Sequence, residues 1–145
     1  MTGPVPTAQQ VLSSKGLIAM QEAADRVYVD PALFEYAVRL ATATRHPEAH
    51  GLGELRRYIQ FGASPRASIN LILTARALAF VRGRDYALPE DVRDMALDVL
   101  RHRLVLSFEA LSDDVTSDTI LRAILDRVPV PVVPLREHEN VRVRA

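Results

Sequence analysis

Gly62-Ala63-Ser64-Pro65-Arg66-Ala67 runs straight into Ser68-Ile69-Asn70-Leu71-Ile72-Leu73, and this stretch decides the fold. Its first half is a helix start. Ser64 has the side-chain oxygen with which an N-cap accepts a hydrogen bond from an unpartnered first-turn N–H. Pro65 suits the next position, where its missing N–H is no loss and its fixed φ already fits a helix. The second half is the helix body. Ile69, Ile72, Leu73, Arg76, Ala79 and Phe80 recur at helical spacing, and Gly83 supplies a stop. A helix over about residues 65–81 is predicted, roughly 25 Å long at ~1.5 Å per residue.

The same stretch is the best candidate for a binding site. Gly62 and Ala63 carry little bulk, so a ligand or another surface could approach the backbone closely. Arg66 stands at the positive end of the helix dipole, beside N–H groups that have no partner in the first turn. Phosphate oxygens bind well in such a place, and a guanidinium adds fixed charge and a bidentate donor fork. A Ser-Pro-Arg helix start is common, and alone it is a weak anion-site signal. Its weight comes from the surrounding chain.

N-terminal to it, Ser13 or Ser14 can cap a helix reaching about Val27, with Leu17, Met20, Ala24 and Val27 as its apolar stripe. Tyr28-Val29 reads as an extended link. Asp30-Pro31 opens a second helix to about Arg45, its apolar set being Leu33, Phe34, Ala37, Val38, Leu40 and Ala41. His46 to Gly53 is a loop, and Glu54 to Phe61 a helical turn or short helix. His46 and His50 are four apart, but Pro47 and Gly51 oppose a regular helix and no third ligand is apparent, so no metal site is assigned.

C-terminal to it, Arg84 to Leu88 is an extended connector. Pro89-Glu90-Asp91 starts a fourth helix, with Val92, Met95, Ala96, Val99, Leu100 and Leu104 buried. Val105 to Val115 is irregular, with an acidic turn at Asp113-Asp114. Thr116 to Asp118 starts a last helix through Ile120, Leu121, Ile124, Leu125 and Val128. The expected fold is all-α, a small bundle of about five helices. Residues 1–11 form a leader, 12–128 the helical domain, and 129–145 an extended, Pro-rich, mobile tail.

Composition narrows the function. The formal net charge of the 145-residue chain is +0, with hydrophobic residues at 48% and aromatics at 6%. No basic run or global field favours nucleic acid or an anionic membrane. The absence of cysteine removes thiolate chemistry and is compatible with a cytoplasmic protein. Lys15 is the lone lysine and lies in no Gly-x-x-x-x-Gly-Lys-Ser/Thr loop, so a Walker A motif is missing. No Ser/His/Asp arrangement suggests independent catalysis.

Gly62-Ala-Ser-Pro-Arg-Ala67, Ala75-Arg-Ala-Leu-Ala79, Gly83-Arg-Asp-Tyr86, Pro89-Glu-Asp-Val92 and Val99-Leu-Arg-His-Arg-Leu104 together resemble the C-terminal lid of MoxR-family AAA+ ATPases. The likeness extends over roughly residues 11–128 and includes Val11-Leu12-Ser13 and Ala43-Thr-Arg45. In that family the arginine of the Gly-Ala-Ser-Pro-Arg motif is the sensor 2 residue, and Arg66 is its counterpart. The resemblance implies a nucleotide site to which Gly62, Ala63, Ser64, Pro65 and Arg66 contribute, with Arg66 also serving hydrolysis. It implies ATP and Mg in the full-length protein, with nothing expected bound to the isolated chain. It further implies an α/β nucleotide-binding domain as partner, neighbouring subunits of a ring, often a hexamer, and a von Willebrand A domain protein. The Walker A, Walker B, sensor 1 and arginine-finger elements are absent, so the chain resembles a lid standing alone and should not hydrolyse ATP by itself. The competing expectation is a helical protein-interaction adaptor. A lid should gather exposed apolar surface around Ser64–Ile69, whereas an adaptor need not.

Overall fold

The computed structural model describes residues 8–133. Six α-helices occur among them: α1 (Ser14–Asp25), α2 (Pro31–Ala43), α3 (Arg66–Val81), α4 (Pro89–Leu100), α5 (Phe108–Ser112) and α6 (Ser117–Arg127). Short 3₁₀ turns at Pro47–His50, Gly53–Tyr58 and Arg101–Arg103 join them. The mainly helical expectation holds. The part of the leader at 1–7 and the tail from 134 lie outside the described residues.

Helix starts follow the capping chemistry of the sequence in four places. The hydroxyl of Ser13 accepts from Gly16 N–H, the carboxylate of Asp30 from Ala32 N–H, Ser107 from Ala110 N–H and Thr116 from Thr119 N–H. Gly83 adopts φ 73° just beyond α3, a left-handed conformation that a side chain would strain.

Helix α3 runs through the middle of the domain and packs against both α2 and α4, while α6 closes the far side of α4. The core comprises Leu33, Leu40, Leu71, Val92, Leu100, Ile120, Leu121 and Ile124 with their neighbours. Every apolar residue predicted for the last helix is buried, as are Val92, Ala96, Val99, Leu100 and Leu104 around α4.

Three expectations need correction. Residues Ile59–Phe61 (β1) and Val105–Leu106 (β2) form an antiparallel two-stranded sheet, pairing Ile59 with Leu106 and Phe61 with Val105. Strands of three and two residues are too short to show alternation, which is why the segment containing β2 reads as irregular in the sequence. A five-residue helix, α5, follows in the same segment. Finally, α1 buries none of its residues: Leu17 and Met20 are exposed and only Val27, beyond its end, enters the core.

The two extended links meet. Tyr28 N–H donates to Asp85 C=O at 2.8 Å and Ala87 N–H to Tyr28 C=O at 2.9 Å, giving a parallel bridge between Tyr28 and Tyr86. Just beyond, Asp91 is 0% exposed. It accepts from Arg82 at 2.8 Å, from both Nη atoms of Arg84 at 2.7 and 2.5 Å, and from Leu88 N–H at 2.8 Å. At the third position of α4, the Asp91 carboxylate turns back over the helix start and meets Arg82 from the end of α3 and Arg84 from the connector.

Candidate functional site

The segment preceding α3 is fixed from beneath by the end of α2. Thr44, fully buried, donates its hydroxyl to Ala41 C=O at 2.7 Å and accepts from Ala63 N–H at 2.8 Å. A Cβ at Gly62 would stand 2.4 Å from the carbonyl oxygen of Thr44, so the glycine lets two backbones of the same chain touch. Ala63 and Ala67 turn their methyl groups into the core. The sequence expects a ligand or another surface to approach the backbone closely at Gly62 and Ala63, and the surface that does so is the chain's own Thr44. Sequence reasoning missed Thr44, one of many threonines near a helix end.

Ser64, Pro65 and Arg66 project outward. Pro65 already has helical dihedrals, φ −55° and ψ −25°, so it serves as the predicted opening residue of the helix. Ser64 contributes its backbone carbonyl, which accepts from Ala67 N–H at 2.8 Å, and no side chain caps α3. The predicted Ser64 side-chain cap is therefore absent. The tether at Ala63 orients the segment so that the Ser64 side chain faces solvent.

Arg66 is exposed on the first turn of α3 and makes no hydrogen bond or ion pair with any described residue. Several other arginines are engaged within the chain. Arg82 and Arg84 hold Asp91, Arg56 donates to Ile59 C=O at 2.8 Å, and Arg57 lies 3.4 Å from Asp113. Arg76 points towards Asp25 at 4.0 Å. Among the five candidate residues, Gly62 and Ala63 thus position the segment, whereas Ser64, Pro65 and Arg66 form its outward face.

Beside Arg66 lies a groove between α2 and α3 of about 400 Å³, lined by Phe34, Val38, Ile69, Ile72 and Leu73, with Arg76 and Ser68 at its rim. Helical spacing places Ile69 and Leu73 in the core, but they are 59% and 49% exposed. Leu71 and Ala75 are buried in their place. Phe34 and Val38 on α2 are likewise exposed, and Tyr36 takes the inward position. Burial pushes the Tyr36 hydroxyl pKa up, against the lowering effect of Arg93.

A family model described as the AAA lid domain matches residues 55–124. Chaperone MoxR1 of Mycobacterium tuberculosis is 46% identical over 128 residues, covering 88% of this chain and 34% of its own length. Protein MoxR of Paracoccus denitrificans is 32% identical over 130 residues, covering 85% of this chain and 38% of its own. The chain belongs to the MoxR-family AAA lid domains. A solved structure of a protein from Cytophaga hutchinsonii, assigned as an ATPase, superposes with a TM-score of 0.82 at 36% identity, over 86% of this chain and 38% of that one. This lid domain spans little more than a third of the length of these relatives. No helix among its described residues is long and apolar enough to cross a membrane.

Proposed function

We propose that this lid domain closes over ATP held by a neighbouring α/β nucleotide-binding domain and that Arg66 is its sensor 2 arginine. The observation that carries the reading is a guanidinium that meets no partner among the described residues, on the first turn of a 16-residue helix, held from beneath by the Thr44–Ala63 bond. The residues present suit a triphosphate: a fixed positive charge, a fork of donors, and a helix start that no described side chain caps. Ser64 and Pro65 shape the approach, and Gly62 and Ala63 keep it rigid. Bound nucleotide with Mg supplies the anionic charge, and the chain's own contribution is to place one cation against it.

A guanidinium so placed favours ATP over ADP because it gains from the additional phosphate charge. It also stabilises charge that develops during phosphoryl transfer. Hydrolysis then weakens one link between lid and core, and the helical unit can rotate as a body. The apolar groove adjoining Arg66 supports the lid reading over a free-standing adaptor, since a lid needs apolar surface beside its arginine. The parent assembly is a ring, often hexameric, that remodels protein complexes alongside a von Willebrand A domain partner, with ATP and Mg as cofactors and a cytoplasmic site of action.

The test joins this chain to its α/β domain and follows ATP hydrolysis with Arg66 intact or changed to alanine. Arg66→Ala is expected to lower the rate by at least about tenfold, a loss of about 1.4 kcal/mol of transition-state stabilisation. Equal rates would remove Arg66 from the mechanism.

A further inference from the structure

We propose that the groove between α2 and α3 receives an apolar side chain of the α/β nucleotide-binding domain together with a carboxylate of that domain, and that Arg76 is the residue selecting the carboxylate. The inference rests on the lid reading above, and goes beyond it by assigning a chemical partner to a second arginine.

Arg76 is partly withdrawn from water without a close carboxylate, in contrast to three other arginines of the domain. Arg82, Arg84 and Arg101 each hold a carboxylate at 2.8 Å or closer. The nearest carboxylate to Arg76 is Asp25, at 4.0 Å and largely exposed, which is too long for a hydrogen bond. Its buried Nε has no acceptor among the described residues. A guanidinium withdrawn from water with its donors partly unused is a costly arrangement until an anion arrives. None of the side chains lining the groove is acidic: Phe34, Val38, Ile69, Ile72 and Leu73 offer only carbon. The groove therefore calls for an apolar group to fill it and a carboxylate at its rim.

The partner follows from the helix. Arg66, Ile69, Leu73 and Arg76 are spaced by three, four and three residues, so they share one face of α3. A surface lying against Arg66 at the start of that face continues over Ile69 and Leu73 to Arg76. The body that brings nucleotide to Arg66 is thus the body that covers the groove. Apolar burial supplies adhesion and the Arg76 pair supplies register.

The chain contains no cysteine, so Leu73→Cys gives a single reporter thiol in this domain. Its reaction with a maleimide would be timed, by peptide mapping, in the isolated 145-residue chain and in the intact ATPase carrying it. At least tenfold slower labelling in the intact protein is expected. Arg76→Gln should restore most of the rate, and Arg76→Lys little of it. Val38→Glu is the second variant: position 38 is an exposed part of the groove lining, where a glutamate supplies an internal carboxylate, so it too should uncover the reporter thiol without disturbing the core. Melting temperatures of the isolated variants identify any that fail to fold, in which case Val38→Glu decides. Equal labelling in chain and intact protein, slow labelling indifferent to both Arg76→Gln and Val38→Glu, or labelling of the isolated chain that slows with concentration through pairing of two copies would each overturn the proposal. The Arg66 reading fails separately, by unchanged hydrolysis in Arg66→Ala while the reporter thiol remains covered.

Discussion

Asp91 shows how one residue holds a connector that the sequence could only call extended. Burial alone would raise its carboxyl pKa. Arg84, the Leu88 N–H and Arg82 together outweigh burial and hold the group below the usual carboxylate range. A depressed folded pKa means that the stabilisation is fully present above the unfolded value of about 3.9 and is lost as pH falls through the folded one. Asp91→Asn should therefore lower stability at neutral pH by roughly 3 kcal/mol, the scale for breaking a buried pair. The gap between wild type and variant should narrow below about pH 4. Urea melts at pH 7, 4 and 3 provide the check; a constant gap would contradict the linkage. The same residue marks a limit of reading by sequence. Pro89-Glu90-Asp91 announces a helix start, but which acid turns inward depends on where α3 ends and how the chain returns. Thr44 is the parallel case at the candidate site, since its role exists only once residues 41, 44 and 63 meet. The place of Arg66 on the first turn of α3 is legible because Pro65 opens the helix just before it, whereas the tether that orients this start is not.

At the scale of elements, the sequence predicts α3 correctly in extent and only partly in face: Ile72 and Ala79 are buried, whereas Ile69 and Leu73 are not. Its apolar residues occur on more than one side, so periodicity cannot choose between Leu71 with Ala75 and Ile69 with Leu73. Tertiary packing chooses the first pair because α4 and α2 approach from that side. The difference has functional content: the unburied pair is what lines the groove. Helix α1 carries the same lesson further, having a predicted stripe and no buried residue. Its place against α3 rests on limited contact, and a 12-residue helix is marginal without packing. Leu71→Ala should destabilise the isolated chain by about 2–5 kcal/mol, the range for emptying a core site. Leu17→Ala should remain within about 0.5 kcal/mol, as expected for exposed positions. Chemical denaturation of the two variants side by side measures the contrast, and comparable losses would mean that α1 is part of the cooperative core.

At the scale of the whole molecule, the proposed reading asks Arg66 to meet a phosphate for which the sequence holds no cradle of its own. One charge-assisted hydrogen-bonded contact contributes about 1.5–3 kcal/mol. A helix start adds about 0.3–1 kcal/mol for a nearby anion. Together these do not exceed the roughly 4 kcal/mol that a millimolar Kd represents, before any entropy of immobilising the ligand is counted. No Gly-x-x-x-x-Gly-Lys-Ser/Thr loop exists in the sequence to supply more. Isothermal titration of the isolated chain with Mg-ATP is therefore expected to give no saturable heat below about 1 mM, and Arg66→Ala should not alter the trace. Micromolar binding would mean that the domain contains a phosphate cradle of its own, and the division of labour between lid and α/β domain would be wrong. Weak binding alone and a strong effect of Arg66 in the joined protein belong to one physical statement. On the proposed reading, the guanidinium acts on a triphosphate that another body has already positioned, so its energy goes into discriminating ATP, ADP and the transition state rather than into capture.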